Sequence, residues 1–219
     1  MSICAVLLAA GGGRRMGRPK AFLPYEGELL VERAIRVLDE GGCSPVVVVL
    51  GAGADQAPPL RQALVVVNPD WASGMASSLR AGLAHATGEA AVIGLVDQPY
   101  LTAAAVRRLI AAPRPGGAAV ATYAGQPRNP VVLDAPVWDE VSATVSGDAG
   151  ARDWLRENPD RVTRVPCDDV ADPTDLDTPA DLVSAARAAR ATSATSATHT
   201  TSTTSTTRAA EPSPLPDRS

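Results

Sequence analysis

The sequence predicts an α/β protein of three layers, in which a mostly parallel sheet is covered by helices on both faces. Short, valine-rich apolar runs recur along the chain and mostly lack polar alternation, which is typical of strands buried on both faces. Amphipathic segments separate these runs, and strands that alternate with helices indicate βαβ units. The strands are predicted at Ile3–Leu8, Val46–Leu50, Ala63–Val67, Ala91–Val96, Ala118–Thr122 and Val131–Leu133, and the helices at Leu29–Leu38, Ser77–Ala86 and Ala103–Ala111.

Composition indicates the domain organisation. The chain has 219 residues, of which 45% are hydrophobic and only 3% aromatic, so Val, Leu and Ala must fill the core. Residues 1–190 fit one domain of ordinary size. Residues 191–219 are nearly all small or polar and bury too little apolar surface to offset their ordering entropy, so we predict a disordered tail. The net charge of −4 argues against a nucleic-acid partner.

Cysteine usage and the length of the apolar runs indicate the compartment. Cys4, Cys43 and Cys167 are far apart and form no CxxC pair, which predicts buried or half-buried free thiols in a reducing environment. The N-terminus lacks a basic segment before an apolar stretch, and the longest apolar runs are too short to span a bilayer. We therefore expect a cytoplasmic protein without a membrane partner.

The first polar motif is a glycine-rich loop that directly follows the first predicted strand. Gly11, Gly12 and Gly13 let backbone N–H groups converge on an anion, because no Cβ obstructs them. The cations that follow closely are Arg14, Arg15, Arg18 and Lys20. Glycines beside clustered cations suit a triphosphate, and ligands of such sheets bind at the carboxyl ends of the strands.

Two common phosphate-binding templates do not fit this loop. A Walker A loop needs Gly-Lys followed by Ser or Thr, but Gly17 is followed by Arg18. A dinucleotide fingerprint needs G-x-G-x-x-G, and counted from Gly11 its third glycine position falls on Met16. The dinucleotide interpretation is weakened, and a nucleoside triphosphate is favoured.

Two further motifs follow later predicted strands. Asn68 begins a turn after the third strand, and Gly74 and Ser78 follow near a helix start, where exposed donors suit a base or a ribose. Asp97 directly follows the apolar run Ala91–Val96. A carboxylate at the carboxyl end of a buried strand is well placed for Mg²⁺, which takes one or two protein carboxylates plus substrate phosphates.

The loop from Leu8 to Lys20 matches the pattern L-A-A-G-x-[S/G]-x-R-M-G-x-x-K. It resembles the signature loop of the MobA-like nucleotidyltransferases, most closely the molybdenum cofactor cytidylyltransferases. The resemblance extends from Ile3 to Ala186 and implies a three-layer, Rossmann-like nucleotidyltransferase fold. The residues it places on the nucleotide are Leu8, Ala9, Ala10, Gly11, Gly12, Gly13 and Lys20, with Arg15 and Lys20 on the triphosphate.

Other strings resemble the same family. The segment that begins at Asn68 resembles N-x-x-W-x-x-G-M-x-x-S, which implies that Asn68, Gly74 and Ser78 lie near the base and sugar. Asp97 begins a string that resembles the D-x-P motif, whose aspartate binds the metal. A later D-x-D-T-P-x-D-L string implies a second metal ligand; Asp177 is preferred to Asp175, although spacing does not decide between them.

The resemblance also implies substrates. Guanylyl-transferring relatives tend to carry glycine at the position of Ala10, so CTP is favoured over GTP. The implied acceptor is a phosphorylated small molecule, above all molybdopterin, and a molybdoenzyme is the implied recipient of the product. Lys20 and Arg15 would stabilise the transition state while Asp97 and Asp177 hold Mg²⁺.

A G-D-x-G-A-R string at residues 147–152 also resembles a family segment. It predicts that Asp148 caps the helix that follows and that Arg152 faces an anionic acceptor. Two other functions stay open. The stretch from Ala121 to Trp138 resembles flavin- or NAD(P)H-dependent reductases of small heteroaromatic dyes, the nicotine blue oxidoreductase-like branch. A nucleotide sensor or cofactor chaperone is disfavoured, because Lys20 and Asp97 are intact.

Overall fold

The computed structural model describes residues 2–184, so the predicted tail at 191–219 and the boundary at residue 190 lie outside the described residues. The strands are β1 (Ile3–Ala9), β2 (Pro24–Tyr25), β3 (Glu28–Leu29), β4 (Val46–Leu50), β5 (Leu64–Val67), β6 (Ala90–Leu95), β7 (Ala118–Tyr123), β8 (Gln126–Asp134) and β9 (Val162–Pro166). The α-helices with assigned bounds are α1 (Leu30–Glu40), α2 (Met75–Leu83), α3 (Ala103–Ala111), α4 (Trp138–Thr144) and α5 (Arg152–Glu157). Residues 179–184 are also helical.

Seven strands form one sheet in the order β5-β4-β1-β6-β8-β7-β9, and β2 and β3 form a separate hairpin. Strands β5, β4, β1 and β6 are mutually parallel, and β9 is parallel to β7. Strand β8 runs antiparallel to both of its neighbours. The prediction of a mostly parallel sheet is confirmed, and the parallel strands end together at one edge.

Helices cover both faces of the sheet, which confirms the three layers. On one face, α1 and α3 pack through a core that includes Leu38 and Leu109. On the other face, the core includes Leu79 of α2 and Trp154 of α5. Strands β1 and β4 are buried along their whole length between these layers. Each buried leucine side chain stabilises the fold by roughly 1.5–3 kcal/mol.

Local sequence explains where the helices begin and end. The Glu32 carboxylate accepts the backbone N–H of Leu29 at 2.9 Å, which satisfies a donor at the start of α1. Helix α1 is followed by Gly42, whose φ of +99° suits glycine. The Thr102 hydroxyl accepts the N–H of Ala105 at 3.2 Å and so caps α3.

The strand at the sheet edge differs from the prediction. The run Ala63–Val67 was expected to be buried on both faces, but β5 is the edge strand, with Leu64 47%, Val65 41% and Val67 58% exposed. An apolar run indicates a strand but does not show whether helices cover it. The prediction of burial is therefore wrong at this position.

Other elements are longer than predicted or were not predicted at all. Strand β8 extends well beyond Val131–Leu133, because a two-residue turn joins it to β7. Ala124 and Gly125 have positive φ values of 47° and 72° in this turn, as a type I′ hairpin turn requires. Strand β9 was missed because its Thr and Arg residues interrupt the apolar pattern, and β2 and β3 have only two residues each.

The cysteines follow the prediction. All three are free and buried. Among residues 2–184, the structure contains no helix with both the length and the apolar character needed to cross a membrane.

Candidate active site

The glycine-rich loop leaves β1 at the edge where the parallel strands end. Gly13 has a φ of +57°, and a Cβ there would lie 2.0 Å from the carbonyl oxygen of Arg18, so only glycine fits. The indole of Trp71 packs against the loop, since a Cβ on Gly12 would lie 3.2 Å from its ring. A Cβ on Gly51 would lie 2.5 Å from the Trp71 Cβ. Trp71 therefore holds the loop against the end of β4.

The loop borders a cavity of about 480 Å³, the first cavity. Its walls come from the ends of β1 and β6 and from the start of α2. The residues that line it are Leu8, Ala10, Gly11, Gly12, Gly13, Arg14, Lys20, Trp71, Ala72, Gly74, Met75, Ser78, Leu95, Val96, Asp97 and Asp148. Because glycines and charged side chains share the cavity with apolar strand ends, it suits a ligand that has both phosphates and a ring.

One ammonium group joins two carboxylates at this cavity. The Lys20 Nζ lies 2.8 Å from Asp97 Oδ2 and 2.7 Å from Asp177 Oδ1. Burial opposes the charge on Lys20, but the hydrogen bonds to Asp177 and Asp97 outweigh it, so the pKa of Lys20 is raised above its ordinary value. Lys20 is therefore protonated throughout the neutral range.

Lys20 is also the only lysine of the chain, beside nineteen arginines. A chain that otherwise uses arginine for every basic side chain retains here the compact, mobile ammonium group. This count was available from the sequence, and it is an independent reason to single out Lys20.

A local hydrogen-bond arrangement fixes Asp177. The Asp181 carboxylate accepts the backbone N–H of Asp177 at 3.1 Å and that of Thr178 at 2.7 Å. The Thr178 hydroxyl accepts the N–H of Asp181 at 3.3 Å, which completes a reciprocal cap at the start of the helix over 179–184. The hydrogen bond from Thr178 lowers the pKa of Asp181, so this cap is ionised at neutral pH.

Asp175 takes a different position from Asp177. It accepts a hydrogen bond from Gln98 Nε2 at 3.1 Å and makes no ion pair with Lys20. Burial raises the pKa of Asp175, and the nearby charge of Asp97 raises it further. Asp177, not Asp175, thus shares the Lys20 ammonium with Asp97, and the assignment of Asp177 as a metal ligand stays a prediction.

The side of the cavity next to α2 is built around Asn68. Asn68 is buried and does not line the cavity; its amide donates to the hydroxyls of Ser77 at 2.9 Å and Ser78 at 3.0 Å. Ser78 and Gly74 line the cavity themselves. Asn68 therefore orients Ser78 and does not itself face the first cavity. A sequence motif cannot distinguish such an indirect role from direct contact with a ligand.

Asp148 contradicts the prediction that it caps the helix after it. Helix α5 has no side-chain cap, and its N-cap residue is Ala151. Asp148 Oδ1 instead accepts the N–H of Met75 at 3.2 Å, at the start of α2. Gly74 has a φ of +117°, and a Cβ there would lie 2.5 Å from the carbonyl oxygen of Gly147, so glycine permits this close approach.

Two further predicted residues lie outside the lining of the first cavity, and three residues that were not assigned to the site belong to it. Ala9 ends β1 and is buried, outside the lining of the first cavity. Arg15 is exposed and also lies outside the lining, whereas its neighbour Arg14 lines the cavity. From the sequence, Arg14 was one of several cations near the loop and was not predicted to be a site residue. Trp71 and Met75 also line the cavity without having been assigned to it.

A second cavity of about 240 Å³ adjoins the first and shares Leu8, Met75, Leu95 and Asp97 with it. Its body is mainly aliphatic, and the arginines Arg128 and Arg152 belong to its wall. Asp175 and Gln98 also line it. Arg152 thus lies on a cavity that adjoins the first, and the expectation that it faces an anionic substrate stays a prediction.

Of the two carboxylates that contact Lys20, Asp97 lines the first cavity, whereas Asp177 lies outside its lining and is about half exposed. Within residues 2–184 no group of three or more His, Cys, Asp or Glu side chains is arranged to hold a metal. Mg²⁺ needs only one or two protein carboxylates when substrate phosphates supply further oxygens. Asp97 and Asp177, already gathered around one cation, fit that requirement.

A glycine-rich loop at the carboxyl edge of a parallel sheet, next to carboxylates that gather a cation, defines a nucleotide-binding α/β protein. The chain belongs to the MobA-like NTP transferase domain family, which matches residues 5–162. This confirms the family resemblance found in the sequence.

Relatives of this chain carry two kinds of name. It is 47% identical over 189 residues to nicotine blue oxidoreductase of Paenarthrobacter nicotinovorans, a match that covers 80% of this chain and 92% of that protein. It is 36% identical over 126 residues to a probable molybdenum cofactor guanylyltransferase of Opitutus terrae, which covers 56% of this chain and 61% of that one.

Solved structures confirm the fold. The structure of Rv0371c from Mycobacterium tuberculosis H37Rv superimposes with a TM-score of 0.76 at 30% identity, covering 85% of this chain and 98% of that one. The same protein in complex with manganese superimposes with a TM-score of 0.72 at 28% identity, covering 85% of this chain and 99% of that one.

Proposed function

We propose that this chain transfers a nucleoside monophosphate from a nucleoside triphosphate, preferably CTP, to the phosphate of a small acceptor, most naturally molybdopterin, and releases pyrophosphate. The observation that carries the proposal is the Lys20 ammonium, which lies between Asp97 and Asp177 beside the glycine-rich loop. These carboxylates come from distant parts of the chain, and the buried Leu176, whose N–H donates to the Asp97 carbonyl oxygen at 2.9 Å, brings their segments together. Their convergence is what binding of a metal–triphosphate complex requires.

The chain's own groups have distinct tasks in this proposal. Backbone N–H groups of Gly11 to Gly13 would hold the triphosphate, and Asp97 and Asp177 would hold a divalent cation. That cation, when bound, would offset the charge of the phosphates. Lys20 would move from the carboxylates to the phosphates and stabilise the charge on the departing pyrophosphate, and Arg14 or Arg15 would add to this. The attacking phosphate oxygen is already ionised, so the reaction needs no general base.

The second cavity supports a ring-bearing, anionic acceptor. It meets the first cavity at Asp97, so a ligand within it would approach a nucleotide held by the loop. Its aliphatic body suits a flat heterocycle, and Arg128 and Arg152 suit the phosphate.

The preference for CTP rests on Ala10, which lines the first cavity. We expect its methyl group to restrict the space for a purine base. The variant Ala10→Gly is therefore expected to raise the rate with GTP relative to CTP by about tenfold, the scale on which one methyl group discriminates. An unchanged ratio would contradict this assignment of base specificity.

Pyrophosphate release tests the transfer directly. The protein is incubated with Mg²⁺, molybdopterin and CTP, GTP, ATP or UTP in turn. The fastest release is expected with CTP, and only when the acceptor is present. Asp97→Asn should lower the rate about 10³-fold, since a metal that is held in place supplies several kcal/mol. Asp160→Asn, at an exposed aspartate, is the matched control and should leave the rate unchanged.

Two results would contradict the proposal. One is the absence of pyrophosphate release with every nucleotide, although the protein binds both substrates. The other is an equal rate in Asp97→Asn and in the unsubstituted protein.

A second candidate function is favoured by one observation, the 47% identity to nicotine blue oxidoreductase over 92% of that protein. In this alternative, which we also propose for test, the first cavity would hold the phosphates of NAD(P)H or a flavin. The apolar second cavity would hold a small heteroaromatic oxidant. A hydride would then pass from the reduced cofactor to the heteroaromatic ring, which takes up a proton from solvent.

Chelation separates the two functions. The loss of NADPH absorbance with a heteroaromatic dye as oxidant should persist in excess EDTA if the protein is a reductase. Nucleotidyl transfer should stop in EDTA, because the triphosphate loses its cation. Two results together would favour the reductase over the nucleotidyltransferase. The protein would consume NADPH without a divalent cation, and it would release pyrophosphate from none of the nucleotides.

A further inference from the structure

Strand β5 presents an uncovered apolar edge. Leu64, Val65 and Val67 are 47%, 41% and 58% exposed, and among the described residues no strand pairs with the outer side of β5. Helix α2 packs mainly on β1 and β4 and leaves this edge open. Monomeric proteins usually blunt such an edge with charges, proline or a bulge within the strand, but β5 reads Leu-Val-Val-Val.

We propose that two copies of this chain pair through their β5 strands, antiparallel about a two-fold axis, and so join their sheets into one. About a two-fold axis, β5 of one copy pairs with β5 of the other copy. Each edge is then occupied, so the assembly contains two copies. The occupant of the edge is thus a second copy of this chain.

The backbone allows this pairing in defined registers. The Asn68 N–H donates to the Leu50 carbonyl at 2.8 Å, so the backbone polar groups of Asn68 point towards β4. Because these groups alternate along a strand, those of Val65 and Val67 point outward. In an antiparallel pair, the outward N–H and C=O groups of one strand must face those of the other strand. Val65 then pairs either with the other copy's Val65, with the axis at Val65, or with its Val67, with the axis at Val66.

The exposed side chains match in both registers. Val65 and Val67 project from the same face of the strand, because side chains alternate. With the axis at Val65, the two copies of Val65 lie directly opposite. With the axis at Val66, each Val65 lies opposite the partner's Val67. Both arrangements pack exposed β-branched side chains against each other across the strands, the favourable cross-strand pairing.

Charge at the ends of the strand is complementary. Arg61 lies three residues before β5 and Asp70 three residues after it, and both are exposed. Antiparallel pairing places the end of β5 that Arg61 precedes beside the end of the partner's β5 that Asp70 follows. None of the ion pairs formed among residues 2–184 includes either side chain. Two symmetry-related ion pairs would therefore flank the paired strands.

The pairing also reaches the first cavity. The turn after β5 carries Asn68, which orients Ser78, and Trp71, which lines the cavity. A partner's Arg61 at Asp70 would lie against this turn. Dimer formation is thus expected to order the wall of the nucleotide cavity and to lower the KM for the nucleotide.

Sedimentation velocity over a range of protein concentrations tests the dimer. The unsubstituted protein is expected to shift from monomer towards dimer as concentration rises. Val65→Lys should remain monomeric, since it places a charge against the partner's Val67 if the axis lies at Val66, and like charges together if the axis lies at Val65. Val183→Lys is the matched control: Val183 is also 52% exposed but belongs to the helix over 179–184 and not to the sheet, and its substitution should leave the dimer intact. Circular dichroism confirms that each variant is folded.

A charge exchange tests the proposed ends. Arg61→Asp and Asp70→Arg should each weaken the dimer, and the double variant should restore it. A double variant as weak as the single variants would overturn the ion pairs. An unsubstituted protein that stays monomeric at high concentration, or a Val65→Lys variant that dimerises as well as the unsubstituted protein, would overturn the proposal as a whole.

Cysteine cross-linking then identifies the register, with little background because Cys4, Cys43 and Cys167 are buried. Opposed residues of an antiparallel pair have Cα atoms about 4.5–5.5 Å apart, within the range of a disulfide. Val65→Cys should cross-link if the axis lies at Val65, and Val66→Cys if it lies at Val66. Val67→Cys is out of reach in both registers. Cross-linking of Val67→Cys alone, or of none of the three, would contradict the pairing.

Discussion

The first and second cavities share a wall, but the chain builds them in different ways. Most of the first cavity comes from three short stretches, the loop after β1, the segment around the start of α2 and the end of β6. The second cavity takes scattered side chains from β6, β7, β8, the loop before α5 and the segment around Asp175. Glycines and the charged pair Lys20 and Asp97 characterise the first, whereas aliphatic side chains with two arginines characterise the second.

We expect this difference to separate the chemical step from the choice of acceptor. Backbone N–H groups that cradle an anion must be contiguous, so they leave a motif in the sequence. An apolar cavity needs only shape and hydrophobicity, which many side chains from many elements supply. We therefore expect substitutions in the first cavity to abolish chemistry, and substitutions in the second to change which acceptor is used.

After Asp97, the largest effect is expected at Lys20. Lys20→Met removes the ammonium between Asp97 and Asp177 and should lower kcat for pyrophosphate release about 10²–10³-fold, the usual loss for a group that stabilises transition-state charge. Lys20→Arg should recover only part of this loss, because a planar guanidinium does not replace a compact ammonium. Steady-state kinetics with CTP measures both variants. Full activity in Lys20→Met would show that Lys20 in the first cavity does not take part in the transfer.

The next effect is expected at Gly13, with Gly11 as its control. A Cβ on Gly13 would meet the Arg18 carbonyl oxygen at 2.0 Å, whereas a Cβ on Gly11 would meet nothing within 4 Å. Gly13→Ala should therefore lower the melting temperature and weaken CTP binding at least tenfold, while Gly11→Ala should retain both. Calorimetric titration with CTP compares them. Equal effects of the two substitutions would show that the shape of the loop does not determine binding.

A smaller and more selective effect is expected in the second cavity. Arg152→Ala should raise the KM for the acceptor about tenfold, since a partly solvated ion pair with a phosphate contributes modestly. The KM for CTP should not change, because Arg152 lines only the second cavity. A rise in the KM for CTP instead would show that the two cavities do not divide the substrates.

The smallest effect is expected at a charge pair far from both cavities. Hydrogen bonds from Arg108, at 2.5 and 2.8 Å, lower the pKa of Asp169 to about 2 from 3.8. A carboxyl group with a depressed pKa stabilises the fold above its unfolded pKa, and this contribution is lost as the pH falls through 3.8 towards 2. Asp169→Asn should thus slightly lower the melting temperature at pH 7, and the difference should vanish near pH 2. A difference that persists at pH 2 would contradict this electrostatic origin.

The sequence was sufficient for the parts of the molecule that depend on local pattern. Buried valine runs predicted β1 and β4, and the glycines and Asp97 predicted the first cavity. It was insufficient where tertiary contacts decide: whether β5 is covered, whether Asp175 or Asp177 meets Lys20, and which helix Asp148 caps. The second cavity was missed for the same reason, because its lining residues share no spacing along the chain.

The dependence of CTP affinity on Mg²⁺ tests the central claim most directly, since it needs no knowledge of the acceptor. Calorimetric titrations in Mg²⁺ and in EDTA compare the unsubstituted protein with Asp177→Asn and with the control Asp175→Asn. We predict that Mg²⁺ strengthens CTP binding at least tenfold in the unsubstituted protein and in Asp175→Asn, and that this gain disappears in Asp177→Asn. The same gain from Mg²⁺ in all three proteins would contradict the assignment of Asp97 and Asp177 as the metal-binding pair.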